Sequence, residues 1–175
     1  MRKTINNKKS PPAGRQGFTL MEVIVAVAII VTALISSLAL ITSSISSIKE
    51  NKSKIIATGL AQEGLEVVRN IRDNNWLNYK RTADDWRDGL SAGNYRVQFD
   101  QESLLSFSSV PLKINTTDGR YQYSNGNDTI YYRKITIQDI NIDQFKVIAE
   151  ISWREAGRDN LVSAETRFYN WLKEE

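Results

Sequence analysis

The chain has 175 residues, 41% hydrophobic and 25% charged, which fits one membrane segment plus one modest globular domain. Its net charge of +3 is unevenly spread: Arg2, Lys3, Lys8, Lys9 and Arg15 fall in the first 17 residues with no acid, leaving 18 bases against 20 acids, a net of −2, in the remainder. Cysteine and histidine are absent, which excludes disulfides, thiol nucleophiles, Cys-based metal sites and every histidine-dependent triad or ligand set. A basic character confined to one short segment also argues against nucleic-acid binding by the rest.

Residues 1–17 are polar, basic and interrupted by Pro11, Pro12 and Gly14. Proline lacks the amide donor and disfavours helix in the residue before it, so an extended, accessible leader is expected. Between Glu22 and Lys49 lie 26 uncharged residues, Val23 to Ile48. As a helix they would run about 39 Å, more than the ~30 Å hydrocarbon core of a bilayer. Val23 to Ile35 is almost purely aliphatic; Ser36, Ser37, Thr42, Ser43, Ser44, Ser46 and Ser47 then enter among Leu and Ile. Small hydroxyl residues favour close helix–helix approach and interhelical hydrogen bonds, which a simple lipid anchor does not need.

The helical period continues through Ile41, Ile45, Ile48, Ile55, Leu60 or Ala61, Gly64, Leu65, Val68 and Ile71. Glu66–Arg69 and Arg69–Asp73 are spaced to pair on its exposed side. Gly59 and Gly64 each cost about 1 kcal/mol relative to Ala inside a helix, so close packing against a sheet or a neighbouring helix is expected at both. Asn74-Asn75 is the expected stop. The organisation that follows is a leader at 1–17, a transmembrane and assembly helix at 18–48, its amphipathic continuation at 49–75, and a β-sheet domain at 76–175.

After Trp76 the period changes to two. Tyr95, Val97 and Phe99 alternate with polar residues, as do Val147, Ala149, Ile151 and Trp153, and Val162, Ala164, Thr166 and Phe168. Tyr131 to Ile137 is a fourth strand, Leu112–Ile114 and Tyr121–Tyr123 are short extra pieces, and Glu155-Ala156-Gly157-Arg158 is a hairpin turn. The charged stretch from Leu77 to Gly93 reads as a loop with a short helical turn around Trp86. The fold class is therefore α+β, a long N-terminal helix packed on a small antiparallel sheet.

One constellation carries chemistry. Gly17-Phe18-Thr19-Leu20-Met21-Glu22-Val23 sets a carboxylate at the start of the apolar run, where an acid costs roughly 2.5–3.5 kcal/mol at a helix centre and persists where a partner is supplied. Taken alone, Glu22 also suits a helix N-terminus, where the dipole favours an acid. The stretch, with its basic leader and long aliphatic helix, resembles the N-terminal signature of the type IV pilin superfamily over about residues 14–40. More weakly, Leu60-Ala61-Gln62-Glu63-Gly64-Leu65-Glu66 and Arg69-Asn70-Ile71-Arg72 look like PilV-class minor pilins or type II secretion pseudopilins. The terminal hairpin ending at Phe168-Tyr169-Asn170-Trp171 is compatible with that class.

The resemblance implies a type IV pilin fold and a non-enzymatic structural subunit. Prepilin peptidase would cut after Gly17, Phe18 would become an N-methylated N-terminus, and Glu22 would serve assembly. The implied partners are other pilin subunits, the inner-membrane assembly platform and, before assembly, membrane lipid. The implied place is the bacterial cytoplasmic membrane, N-terminus inside and C-terminal domain outside, then a cell-surface filament. The chain departs from many major pilins in having neither a disulfide nor a proline near Ala39, which points to a minor component. Other readings are a type II secretion or DNA-uptake pseudopilin, an uncut membrane-anchored surface-binding protein, and a secretory signal cut near Ser37-Leu38-Ala39.

The rest offers weaker hooks. Thr117-Asp118-Gly119 and Asn125-Gly126-Asn127-Asp128 supply oxygens without the spacing of a Ca²⁺ loop and read as turns. Asp84-Asp85 reads as a solvated pair rather than paired catalytic carboxylates, and Trp76, Trp86, Trp153 and Trp171 as packing. No enzyme activity, metal or cofactor is expected.

Overall fold

The computed structural model describes residues 17–78 and 85–171. The leader, apart from Gly17, and Asp84 of the acidic pair lie outside the described residues. The chain forms two compact units, one ending at Ser46 and one beginning at Ser47. Helix α1, Leu20–Asn78, contributes to both.

In the first unit α1 is the one helix among the described residues long and apolar enough to cross a membrane, and none of the residues in its apolar stretch is buried within the chain. Its hydroxyls turn back onto their own helix. Thr32 donates to the carbonyls of Ala28 and Ile29 at 3.0 and 2.9 Å, Ser36 to Thr32 at 2.9 Å, Ser37 to Ala33 at 2.8 Å and Thr42 to Ala39 at 2.9 Å. With no second helix beside them, the nearest acceptor is the carbonyl one turn earlier. Their hydroxyl oxygens keep acceptor capacity for a neighbour.

The second unit is α+β. A five-stranded antiparallel sheet has the order β2-β1-β6-β7-β8. Its strands are β1 (Gly93–Arg96), β2 (Leu105–Ser106), β6 (Tyr131–Asn141), β7 (Gln144–Glu155) and β8 (Arg158–Tyr169). A smaller sheet, β4-β3-β5, joins β3 (Lys113–Ile114), β4 (Tyr121–Gln122) and β5 (Asn127–Asp128). The long strands follow the sequence pattern closely: Tyr131, Arg133, Ile135 and Ile137 of β6 and Phe145, Val147, Ala149, Ile151 and Trp153 of β7 point to the core, with exposed or half-buried residues between. Ala156 and Gly157 join β7 to β8 with φ of 50° and 77°, the left-handed pair that a two-residue hairpin of the proper twist requires.

Helix α1 meets this sheet through Ala57, Leu60, Ala61, Gly64, Leu65, Val68 and Ile71, all buried. Gly64 is the point of closest approach: a Cβ there would stand 2.8 Å from Ile135 Cδ1. Arg133, on the inner side of β6, has a fully buried side chain whose Nη1 donates to the Leu60 carbonyl at 3.1 Å and to Glu63 at 2.8 Å. The Tyr131 hydroxyl donates to the Ser53 carbonyl at 3.4 Å.

Several expectations are corrected. Ile55 is 72% exposed, and Ala57 and Leu60 take the core positions beside it. The step Ile48–Ile55 describes a real helix face, but the one turned away from the sheet, roughly half a turn from Ala57 and Gly64. Within the described chain Gly64 is packed closely against the sheet, whereas a Cβ built at Gly59 has nothing within 4 Å. Helix α1 does not stop at Asn74-Asn75: Asn75 Nδ2 donates to the carbonyls of Trp86 and Asp88 at 3.3 and 2.9 Å, and Trp76 stacks on Trp86. Those contacts hold the last turn in place to Asn78. Glu66 pairs with Arg69 as expected, whereas Asp73 is held by Arg72 at 2.6 Å rather than by Arg69. Strand β1 ends at Arg96, not Phe99, because the Gln98 side chain accepts the Tyr123 amide at 2.9 Å and a turn closes from Gln101 to Gln98.

Two stability outcomes follow from this packing. Gly59→Ala should raise the unfolding midpoint, gaining up to about 1 kcal/mol of helix propensity without a clash, whereas Gly64→Leu should lose roughly 1–3 kcal/mol by overpacking against Ile135. Chemical denaturation in detergent reads both, and equal shifts would contradict the assigned faces. Glu63→Ala should destabilise by about 1–3 kcal/mol because it leaves the Arg133 guanidinium buried with one carbonyl partner. Arg133→Met, which removes the buried charge, should cost less; the opposite order in the same measurement would refute this account.

Candidate functional site at the helix start

The sequence Gly17-Phe18-Thr19 is non-helical, and α1 begins at Leu20. The reason is local. Thr19 is the cap: its Oγ1 accepts the Glu22 amide at 3.3 Å and its carbonyl accepts the Val23 amide at 3.2 Å. Thr19-Leu20-Met21-Glu22 has the spacing of a capping box, a signal legible in the sequence that explains why the helix starts here.

That start brings the three expected site residues together. Gly17, Phe18, Thr19 and Glu22 line one open hollow at the end of the helix. Gly17 has open space around it and Phe18 is 80% exposed, so the peptide bond between them is reachable from outside. Glu22 lies in the first turn of α1, where unpaired amides and the helix dipole favour a carboxylate. The geometry thus offers an accessible bond next to an exposed aromatic residue, with an acid one turn further on. It contains no nucleophile–base pair.

The other candidate residues do different work. Asp118 accepts the Arg120 amide at 3.0 Å and Asn115 the Thr117 amide at 2.9 Å, so these oxygens close turns; Asn127 and Asp128 form β5. Among the described residues no group of three or more acidic side chains is placed to hold a metal ion. Trp86 and Trp153 are buried, Trp76 packs on Trp86, and Trp171 lies edge-on to Trp76 at 4.8 Å while remaining 66% exposed. Arg133 was not legible in the sequence, because a basic residue inside an alternating strand looks like one that faces solvent.

Compared with protein-family models, with curated proteins and with solved structures, the chain matches none. A long N-terminal apolar helix packed on an antiparallel sheet is compatible with a pilin-like fold.

Thr19→Ala should cost about 0.5–2 kcal/mol at the first turn. Amide exchange in micelles should then speed up at Glu22 and Val23 while the amides of β6 and β7 stay unchanged. Unchanged exchange at Glu22 would show that Thr19 is not the cap.

Proposed function

We propose that the protein is a structural subunit, a minor pilin or pseudopilin, of a type IV pilus-like filament. The observation that carries this reading is the motif Gly17 to Val23 on an open, capped helix start, directly ahead of a helix able to cross a membrane. The precursor is held with its N-terminus inside by the five leader charges. Prepilin peptidase cuts after Gly17, which removes those charges and exposes an ammonium at Phe18. Phe18 is N-methylated, and the subunit enters the filament through α1. The partners are then other subunits, the peptidase and the membrane assembly platform, and the place is the cytoplasmic membrane followed by the cell surface.

The chemistry of the cut supports the reading. Glycine at the cut position keeps the backbone unobstructed, and Phe18 beside it is exposed. An ammonium and a carboxylate, both poorly solvated at the membrane edge, attract strongly enough to recruit and register a neighbour. An uncut leader would obstruct close stacking of such helices.

Mass spectrometry of the mature chain should find an N-methylated Phe18 as its first residue, while a start at Met1 or Leu40 would sink the proposal. Glu22→Ala should leave cleavage intact and strongly reduce incorporation into filaments. Gly17→Ala should be processed far better than Gly17→Trp, and normal processing of Gly17→Trp would contradict the cut site.

A further inference from the structure

We infer that the end of the second unit around Lys49, Lys52 and the β7–β8 turn is a docking face for an anionic bilayer surface. It engages the lipid headgroups at the place where α1 leaves the membrane. This rests on the part of the proposed reading that puts α1 in a bilayer, and on nothing about cleavage or assembly.

The first observation is the direction in which β7 and β8 turn. Strand β6 rises with α1, since Tyr131 meets Ser53 and Arg133 meets Leu60. Antiparallel β7 therefore descends along α1, and its row Tyr131, Trp153 and Asn160 lies at the height of Ser53. Both strands run two residues beyond that row, so Ala156-Gly157 projects toward the end of the apolar run at Ile48. Arg158 accordingly helps hold the Glu50 carboxyl below its ordinary range, after the larger effect of Lys54 at 2.7 Å. Counted from Glu22 at one interface, about 20 residues cross the ~30 Å hydrocarbon core and about four more the headgroup layer. The far surface then lies close to Ile48 and Lys49.

The second observation is charge. This end carries Lys49, Lys52, Lys54, Arg154 and Arg158 against Glu50, Glu155 and Asp159. Lys54 is taken by Glu50, and Arg154 by Asp159 at 3.6 Å. Lys49, Lys52 and Arg158 are exposed, and among the described residues no carboxylate stands within 4 Å of them. Lipid phosphates supply the missing counter-charge, and each basic residue near an anionic surface multiplies the docked population severalfold.

The third observation is apolar. Ile130 is exposed at the same end, and in the row next to Trp153 so are Tyr132 and Leu161, the latter by 60%. With Phe107 and Val110, Tyr132 and Leu161 wall a hollow of about 260 Å³ on the outer face of the sheet. A tyrosine and aliphatic side chains beside free cations suit the membrane interface, where apolar bodies sink among charged headgroups. A soluble polyanion would use the cations alone, whereas a bilayer uses both.

The chain has no cysteine, so Ala156→Cys adds a single thiol at the turn for a bimane label. Full-length chains are reconstituted one per nanodisc, in phosphatidylcholine alone or with about one third phosphatidylglycerol. Each disc also carries a lipid spin-labelled at its headgroup, which quenches a label lying on the surface. Quenching should be at least about threefold stronger with phosphatidylglycerol, and should fall to the phosphatidylcholine value in about 0.5 M NaCl. Lys49→Gln, Lys52→Gln and Arg158→Gln together should abolish the difference without moving the unfolding midpoint. Lys146→Gln with Arg167→Gln, toward the other end of the sheet, should preserve it, and Leu161→Ser should reduce it by about half. Equal quenching in the two lipids, or a difference that survives the triple change, would overturn the inference. So would quenching abolished by inorganic phosphate but not by chloride of equal ionic strength, which marks a site for free phosphate. Quenching confined to discs holding two copies would give the face to a second chain and equally overturn it. A chain that alkaline carbonate strips from vesicles counts against α1 in a bilayer, and the inference falls with that reading. A chain that stays inserted but shows no lipid difference counts against the docking face alone.

Discussion

The second unit depends on how closely α1 lies on its sheet, and that distance is set at Gly64. Any side chain there would meet the end of Ile135, and Ala149 sits 3.7 Å from the same point. Ala57 and Ala61 keep the adjacent turn equally thin, so the helix backbone rests on the sheet instead of being held off by long side chains. Only at that separation does Arg133 reach the Leu60 carbonyl and Tyr131 the Ser53 carbonyl. Apolar contact is non-directional and leaves a helix free to slide along a sheet. These two directional bonds, together with the Arg133–Glu63 pair, fix the helix along its own axis.

Fixing one face of a helix also defines the other. The steps Ile41, Ile45, Ile48 and Ile55 were legible as a helical face, but periodicity establishes that a face exists without saying what it faces. Ile55 and Ala57 stand only two residues apart, yet about 200° around the helix, and the bulkier residue is the exposed one. Leu60, Leu65, Val68 and Ile71 lie on the buried side as their spacing suggested, while near Ala57 the sheet takes a small side chain and hydrophobicity misplaced Ile55. The same difficulty hid Arg133, a charged residue that the close approach places against a helix carbonyl and a carboxylate.

The long strands were legible because ten or more residues of alternation leave little ambiguity about register or face, and Ala156-Gly157 fixed the turn between β7 and β8. The two-residue strands β2 and β5 have no period to detect. They exist because neighbouring backbone happens to lie within reach, which is a property of the finished fold. The end of α1 failed as a sequence reading for a related reason. Asn74 and Asn75 tolerate a helix stop, but Asn75 instead bonds across to Trp86 and Asp88, and tertiary contact overrides the local preference.

At the other end of α1 the local signal and the structure agree, and the agreement bears on energetics. Thr19 supplies the cap, and the helix dipole contributes about 0.3–1 kcal/mol in favour of an acid in the first turn. Against roughly 2.5–3.5 kcal/mol for an acid at the centre of a bilayer, that leaves a residue which only depth near the interface or a counter-charge can offset. A chain meant to stay anchored would do better with an uncharged residue at position 22, since Thr19 alone caps the helix. On the proposed reading the counter-charge is the ammonium freed at Phe18 of a neighbour, and it is absent until the leader has gone. Glu22 is then a cost to the uncut chain, kept small near the interface, and makes the cut chain more stable in company than alone, which is the asymmetry that ordered assembly needs.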